Sequence, residues 1–120
     1  MKSALLVFLG GGIGSVLRYL IGKWLNSSQT GIPYGTFLAN IIGSFLIGII
    51  IGLFIKQQLN EQQTLLLATG FCGGFTTFST FAYENHMFLK SGDFTSFALY
   101  TIGSFIVGFL AVFGGIYLVK

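Results

Sequence analysis

Long apolar runs separated by short polar segments dominate the chain. Each run reaches the roughly 20 residues that a helix needs to cross a bilayer. The segments between them are too short to form a further domain. The pattern predicts an all-α membrane protein with a single transmembrane domain over residues 1–120, built from four helices at about 3–25, 33–56, 62–89 and 94–119.

The composition is that of a membrane protein. Of the 120 residues, 53% are hydrophobic and 8% are charged, whereas ordinary soluble domains carry about 25% charged residues. This excludes a soluble globular protein, and we expect a multi-pass protein of the cell membrane. The net charge is +3, but the basic residues are spread singly along the chain, so no polybasic patch indicates nucleic-acid binding.

The basic residues are balanced between the two sides of the membrane. With four spans, one side receives Lys2, Lys56 and Lys120, and the other receives Arg18, Lys23 and Lys90. Orientation normally follows an imbalance in these numbers. Because no imbalance exists, we hypothesise that the chain inserts both ways up and forms an antiparallel, dual-topology homodimer.

Glycines recur at helical spacing. Pairs four residues apart occur at Gly10 and Gly14, at Gly48 and Gly52, and at Gly70 and Gly74. In lipid no hydrophobic force brings helices together, and small residues let their backbones approach closely. The spacing therefore predicts tight helix packing and oligomerisation, without indicating a substrate.

The segment from Gly70 to Phe81 departs from the composition of a stable membrane helix. It contains three glycines, three threonines and a serine, and glycine and threonine are weak helix formers. We predict that the third helix is broken near Gly74–Ser79. Backbone freed in this way must be buried in protein or line a water-filled path, where its carbonyls suit a cation and its amides suit an anion. A glycine kink that serves packing alone is the alternative.

Uncharged polar side chains line single faces of two other helices. Thr36, Asn40 and Ser44 are spaced four apart on the second helix, and Tyr100 and Ser104 form a similar pair on the fourth. Hydrogen bonding between helices would explain any one of them. The amide of Asn40 needs several partners, so it indicates a polar neighbour or a ligand.

Paired aromatic rings accompany the polar segment. The edge of a phenyl ring is partly positive, so Phe78 and Phe81 beside Ser79, Thr80 and the Asn40 amide would form an anion path without a buried cation. These residues alone do not distinguish chloride from a smaller anion.

Catalytic groups are scarce in the sequence. The carboxylates are Glu61, Glu84 and Asp93, and the chain has one histidine, His86, and one cysteine, Cys72. They form neither a metal-ligand cluster nor a nucleophile–base pair, so we expect no enzyme. We expect Glu84 and His86 to be solvated near the end of the third helix, and Cys72 to be a buried packing residue.

Three segments together resemble the Fluc (CrcB) family of microbial fluoride channels, over nearly the full chain. They are Gly10 to Gly14 with Arg18 and Tyr19, Gly35 and Thr36 through Asn40 and Gly43, and Gly70 to Phe81. The resemblance implies an antiparallel homodimer of four-helix subunits that passively exports fluoride from the cytoplasm and so reduces its toxicity. The membrane potential would supply the driving force, which agrees with the lack of a nucleotide-binding motif.

The resemblance also implies roles for individual residues. A structural sodium ion at the dimer centre would be bound by the backbone carbonyls of Gly73 and Thr76. The fluoride path would include Asn40, Phe78, Phe81, Ser79, Thr80, Thr36, Tyr100 and Ser104. Family members extend the polar track by a further turn on the fourth helix, where this chain has Gly108. Arg18 also matches a position of the family motif, but the sequence alone assigns it no role.

Two other classes of protein remain as alternatives. A small multidrug exporter can also be a four-helix dual-topology dimer, but it needs a membrane-embedded carboxylate, which the first helix lacks. A structural assembly subunit would explain the glycine packing but not the hydroxyls beside paired phenylalanines.

Overall fold

The computed structural model describes residues 1–26 and 31–120, so the connection between the first two predicted helices lies partly outside the described residues. Within them the chain forms helices and no strands. The helices are α1 (Lys2–Leu25), α2 (Tyr34–Ile55), α3 (Glu61–Thr64), a π-helical segment (Leu65–Cys72), α4 (Gly73–Phe75), α5 (Phe78–Ser91) and α6 (Phe94–Leu118). Four spans are long and apolar enough to cross a membrane, the third running from Glu61 to Ser91. The predicted all-helical, four-span fold is confirmed.

The third span changes its winding before it breaks. It begins with a capping box in which Gln63 N–H donates to Asn60 Oδ1 at 2.7 Å and Asn60 N–H donates to Gln63 Oε1 at 3.0 Å. The π-helical segment follows, and its wider turns let Gly73 N–H reach the carbonyl of Ala68. Local propensity did not predict this winding, because π-helices are rare and depend on packing around them.

The break lies at Thr76 and Thr77, within the predicted interval. Both residues are extended, with φ/ψ of −92°/157° and −151°/119°. The helix restarts at Phe78 because Thr77 is its N-cap, where its hydroxyl accepts a hydrogen bond from Thr80 N–H at 3.1 Å. The third span is therefore two helical pieces joined by two extended residues.

Glycines bring the helices into backbone contact, as their spacing predicted. A Cβ atom on Gly14 would overlap the carbonyl oxygen of Phe71, so α1 lies directly against the third span. A Cβ atom on Gly48 would likewise overlap the carbonyl oxygen of Val112, which places α2 against α6. Among the described helices, α1 with the third span and α2 with α6 form the most extensive contacts.

A tight turn sets α5 antiparallel to α6. Gly92 adopts the left-handed conformation at φ 79°, which glycine tolerates without strain. Asp93 then caps α6 by accepting a hydrogen bond from Ser96 N–H at 3.1 Å. Hydrogen bonding with Ser96 holds the pKa of the Asp93 carboxyl below its ordinary value. This turn brings the buried face of α5 onto Tyr100 of α6.

The close contact between α1 and the third span leads to a prediction about stability. Gly14→Ala should lower the free energy of unfolding by about 1–3 kcal/mol, because overpacking forces the two backbones apart. Gly12→Ala on the same helix is the control, since a Cβ atom there meets nothing within 4 Å. Unfolding in detergent, followed by circular dichroism, measures both variants. Equal stability of the two would contradict the packing described here.

Candidate functional site

A cavity of about 480 Å³ lies beside the break in the third span. Its lining includes both extended residues and the helix ends on either side of them, together with parts of α2 and α6. Six residues predicted as site residues contribute to it: Asn40, Gly73, Thr76, Phe78, Phe81 and Ser104. The fold therefore brings most of the predicted residues to one place.

Asn40 holds the break through two hydrogen bonds. Its Oδ1 accepts from Thr77 N–H at 2.8 Å, and its Nδ2 donates to the Thr77 carbonyl at 3.2 Å. The side-chain amide thus supplies Thr77 with the donor and acceptor that a continuous helix would have given. One hydrogen of Nδ2 is left over, because an amide nitrogen carries two. We predicted a polar neighbour or a ligand for Asn40, and the polar neighbour is the broken backbone.

The carbonyls before the break have different partners. The Cys72 carbonyl accepts from Thr76 N–H at 3.0 Å and from the Thr76 hydroxyl at 2.9 Å. The Gly74 carbonyl accepts from Arg18 Nε at 3.1 Å and Ser15 Oγ at 3.4 Å. For the carbonyls of Gly73 and Thr76, by contrast, the described residues supply no donor. The break therefore leaves two carbonyl oxygens without a described donor, on residues that line the cavity.

An aromatic cluster forms the wall of the cavity at the start of α5. The ring centroids of Phe78 and Phe81 lie 5.8 Å apart at an interplanar angle of 45°. Phe81 is 7% exposed, whereas Phe78 is 72% exposed. The ring of Phe81 also meets Phe105 in an edge-on arrangement at 6.0 Å. The predicted ring pair therefore exists, with its two members in different surroundings.

The predicted hydroxyl residues of α5 lie in its first turn. Ser79 Oγ is 3.2 Å from Thr77 Oγ1, and Thr80 contributes its backbone N–H to the same Thr77 hydroxyl. Both follow the break directly, where amides at a helix start have no helical acceptor. Hydroxyl and amide donors therefore concentrate at this end of α5.

Thr36 and Tyr100 belong to a second polar cluster centred on Glu84. The Tyr100 hydroxyl donates to Glu84 Oε1 at 2.6 Å, and the Thr36 hydroxyl donates to Glu84 Oε2 at 2.7 Å. Asn26 Nδ2 donates to Thr36 Oγ1 at 3.1 Å, which extends the cluster to the end of α1. The predicted polar track is thus divided in two, and the ring of Phe81, 5.1 Å from that of Tyr100, lies between the halves.

The prediction that Glu84 is solvated was wrong. Glu84 is half-buried with both carboxylate oxygens bonded, while His86 is exposed as expected. The tight turn folds α6 back along α5, so Tyr100 reaches a carboxylate that sequence position alone places near a helix end. A signal was present, because the hydroxyls of Thr36 and Tyr100 each required a partner within the membrane.

Side-chain metal ligation finds no support in the described part of the chain. No group of three or more His, Cys, Asp and Glu residues comes together there. Cys72 is 2% exposed, which confirms its role as a buried packing residue. Backbone carbonyl oxygens, such as those at the break, are among the ligands that hard cations accept.

Comparison with known proteins identifies the family. A family model described as "CrcB-like protein, Camphor Resistance (CrcB)" matches residues 5–116. The chain belongs to the CrcB family. This confirms the resemblance seen in the motifs, and the four spans make the chain a multi-pass protein of the bacterial cell membrane.

Several curated relatives of this CrcB chain are named "Fluoride-specific ion channel FluC". The relative from Gloeothece citriformis is 57% identical, with 100% of this chain and 98% of the relative aligned. The relative from Phocaeicola vulgatus is 50% identical over 98% of each chain. The relative from Chlorobaculum tepidum is 46% identical over 100% of this chain and 96% of its own length. Similarity extends over essentially the whole chain in each case.

The two hydrogen bonds between the Asn40 side chain and the Thr77 backbone, here called the Asn40 clamp, lead to a second prediction. Asn40→Ala should lower the free energy of unfolding, because Thr77 loses a donor and an acceptor at a cost of about 1–3 kcal/mol for each unpaired buried group. Ser44→Ala is the matched control, since Ser44 lines the same cavity one turn further along α2. Unfolding curves in detergent measure the difference. If the two variants lose the same stability, the clamp does not stabilise the break.

Proposed function

We propose that this protein is a fluoride-selective channel through which fluoride leaves the cytoplasm passively. The observation that carries the proposal is the similarity along the whole chain to proteins named fluoride-specific ion channels. The geometry supports it, because the break within the third candidate membrane span places neutral hydrogen-bond donors beside a cavity. Such a pathway would reduce the toxicity of fluoride that accumulates in the cell.

The donors around the cavity suit a small, strongly hydrated anion. A channel must replace enough of the ion's hydration for entry yet bind weakly enough for release. At the cavity itself, the second amide hydrogen of Asn40 and the ring edges of Phe78 and Phe81 would supply neutral contacts of this kind. The hydroxyls of Ser79 and Thr80 lie outside the cavity lining, in the adjoining first turn of α5, and would add donors beside the break. Ser104 lines the same cavity, and Thr36 and Tyr100 would extend the path beyond Phe81.

Export would need no chemical energy source. A membrane potential contributes about 2.3 kcal/mol per elementary charge for each 100 mV, and a negative interior expels an anion. A passive path through the helices is therefore sufficient for net export.

The functional unit would be an antiparallel homodimer. The basic residues give little bias toward one orientation, because with Arg18 bonded inside its span the two sides differ by a single lysine. Phe78 at the break is 72% exposed in the isolated subunit, although backbone at a break inside a bilayer needs protein or water around it. A second copy packed against this face would cover the break, and two copies would give two pathways.

A structural sodium ion would lie at the dimer centre. The carbonyls of Gly73 and Thr76 fit this ion, because the described residues offer them no hydrogen-bond donor and hard cations prefer oxygen ligands. The ion would satisfy carbonyl groups that the break leaves open in each subunit. A midpoint of thermal unfolding that is the same in sodium and in N-methyl-D-glucamine salts would contradict this part of the proposal.

One observation favours a proton-coupled exporter as the second candidate. Glu84 is a half-buried carboxylate within a membrane span, the kind of residue that carries protons in transporters. Its two hydroxyl partners hold it in place. The names of the relatives favour the channel, and a transport assay distinguishes the two.

The transport assay uses purified protein in vesicles loaded with potassium fluoride. After valinomycin is added to carry potassium, we expect rapid release of fluoride, which a fluoride electrode measures outside the vesicles. Vesicles without protein, and vesicles loaded with potassium chloride, are the controls, and both should release little halide. Absence of fluoride release, together with uptake of an organic cation driven by a pH gradient, would support the exporter instead.

Dual topology gives a further prediction. In intact cells, a membrane-impermeant maleimide should label about half of the Lys120→Cys chains, because the balanced charges give no preferred orientation. The native Cys72 is 2% exposed and should stay unlabelled, which the unmodified chain verifies. Labelling of nearly all or nearly none of the variant would show a single orientation and contradict the antiparallel dimer.

A further inference from the structure

The carbonyl of Gly74 receives its hydrogen bonds from α1. It lies at the C-terminal end of the helical run before the break, where the next residues are extended and the following helical amide is displaced. Arg18 Nε donates to it at 3.1 Å and Ser15 Oγ at 3.4 Å. Ser15 and Arg18 are three residues apart, so both side chains lie on one face of α1. Two side chains of α1 thus replace one lost backbone donor.

The charge of Arg18 suits this position. A charged side chain within a membrane span is costly unless the protein provides a partner. The carbonyl end of a helix carries partial negative charge, and cations placed there are stabilised. The described hydrogen bond of Arg18 runs to this helix end rather than to a carboxylate. The positive charge of the guanidinium is therefore stabilised by the partial negative charge at the broken end of the helix.

Backbone contact between α1 and the third span fixes where Arg18 reaches. A Cβ atom on Gly74 would overlap the carbonyl oxygen of Gly11, and one on Gly14 would overlap that of Phe71. With the two helices this close, Arg18 begins one turn beyond Gly14. The close approach of the two helices therefore places the Gly74 carbonyl within hydrogen-bond distance of Arg18 Nε.

We propose that Arg18 is the positioning residue of the break. It holds the Gly74 carbonyl on the α1 side, and this orients the neighbouring peptide groups so that the carbonyls of Gly73 and Thr76 stay beside the cavity. Arg18 acts through the backbone and does not itself bind the transported ion. Only the effect of Arg18 on fluoride flux rests on the proposed function; its contact with Gly74 does not.

The first test uses the wild-type chain. Arg18 is its only arginine, so an arginine label marks this residue alone. Labelling with ¹⁵N-arginine, 1-¹³C-glycine and ¹⁵N-phenylalanine marks three Gly-Phe peptide bonds, at Gly70, Gly74 and Gly108. In a solid-state NMR dipolar recoupling measurement made selective for the arginine Nε frequency, which differs from that of the backbone amides, the Nε should dephase the Gly74 carbonyl signal and leave the other two unchanged. No dephasing at Gly74 would overturn the proposal, and no variant has to fold for this result.

Variants provide the second test. Arg18→Met should lower fluoride efflux by about tenfold or more, because a hydrogen bond to a charged group is lost. Arg18→Lys should restore part of the flux, since it keeps the charge but not the planar donor. The control Lys23→Met removes the same charge from an exposed position on α1 and should change flux by less than about twofold.

The two tests separate this proposal from the proposed function. If the wild-type vesicles release no fluoride, the channel assignment fails, and the Gly74 dephasing still decides whether Arg18 holds the break. If wild-type vesicles conduct and folded Arg18→Met conducts equally well, the positioning role is overturned. Dephasing at Gly74 combined with loss of flux in Arg18→Met, and not in Lys23→Met, supports it.

Discussion

A backbone amide or carbonyl that leaves a helix inside a bilayer needs another partner within the protein, because lipid offers none. The extended residues Thr76 and Thr77 impose this requirement on everything around them. Asn40 on α2 forms hydrogen bonds with both backbone groups of Thr77, and Arg18 on α1 donates a hydrogen bond to the carbonyl of Gly74. The polar side chains of two different helices are therefore explained by one interruption in a third.

Close packing is what allows these partners to reach the break. A Cβ atom on Gly43 of α2 would overlap the side chain of Thr76, and one on Gly74 would overlap the backbone of Gly11 on α1. Larger residues would separate the helices, and the hydrogen bonds to the break would lengthen. The glycines and the polar side chains thus depend on each other: the first bring the helices together, and the second make an interrupted helix tolerable between them.

Properties of single segments were predictable from the sequence. Length and hydropathy identified the four spans, and the glycines and threonines after Gly70 located the break, because both follow from residues close together in the chain. The π-helical winding and the cluster around Glu84 were missed. The second depends on how α2, α5 and α6 are rotated against one another, which hydrophobic pattern does not determine. For Asn40, the sequence indicated a buried polar partner but not that Thr77 would supply it.

The same constraint bears on how an anion would be held in the proposed channel. Arg18 lies within a span, and its described hydrogen bond is to a helix end. The groups that line the cavity, such as Asn40 and Phe81, are uncharged. A passing anion would therefore meet dipoles and ring edges, whose attraction in a partly dry site is substantial but weaker than that of an ion pair. Neutral lining suits conduction, because an ion that formed a buried ion pair would be slow to leave. The break supplies such dipoles without adding charge, since amides without helical acceptors and the hydroxyls beside them concentrate where a helix restarts.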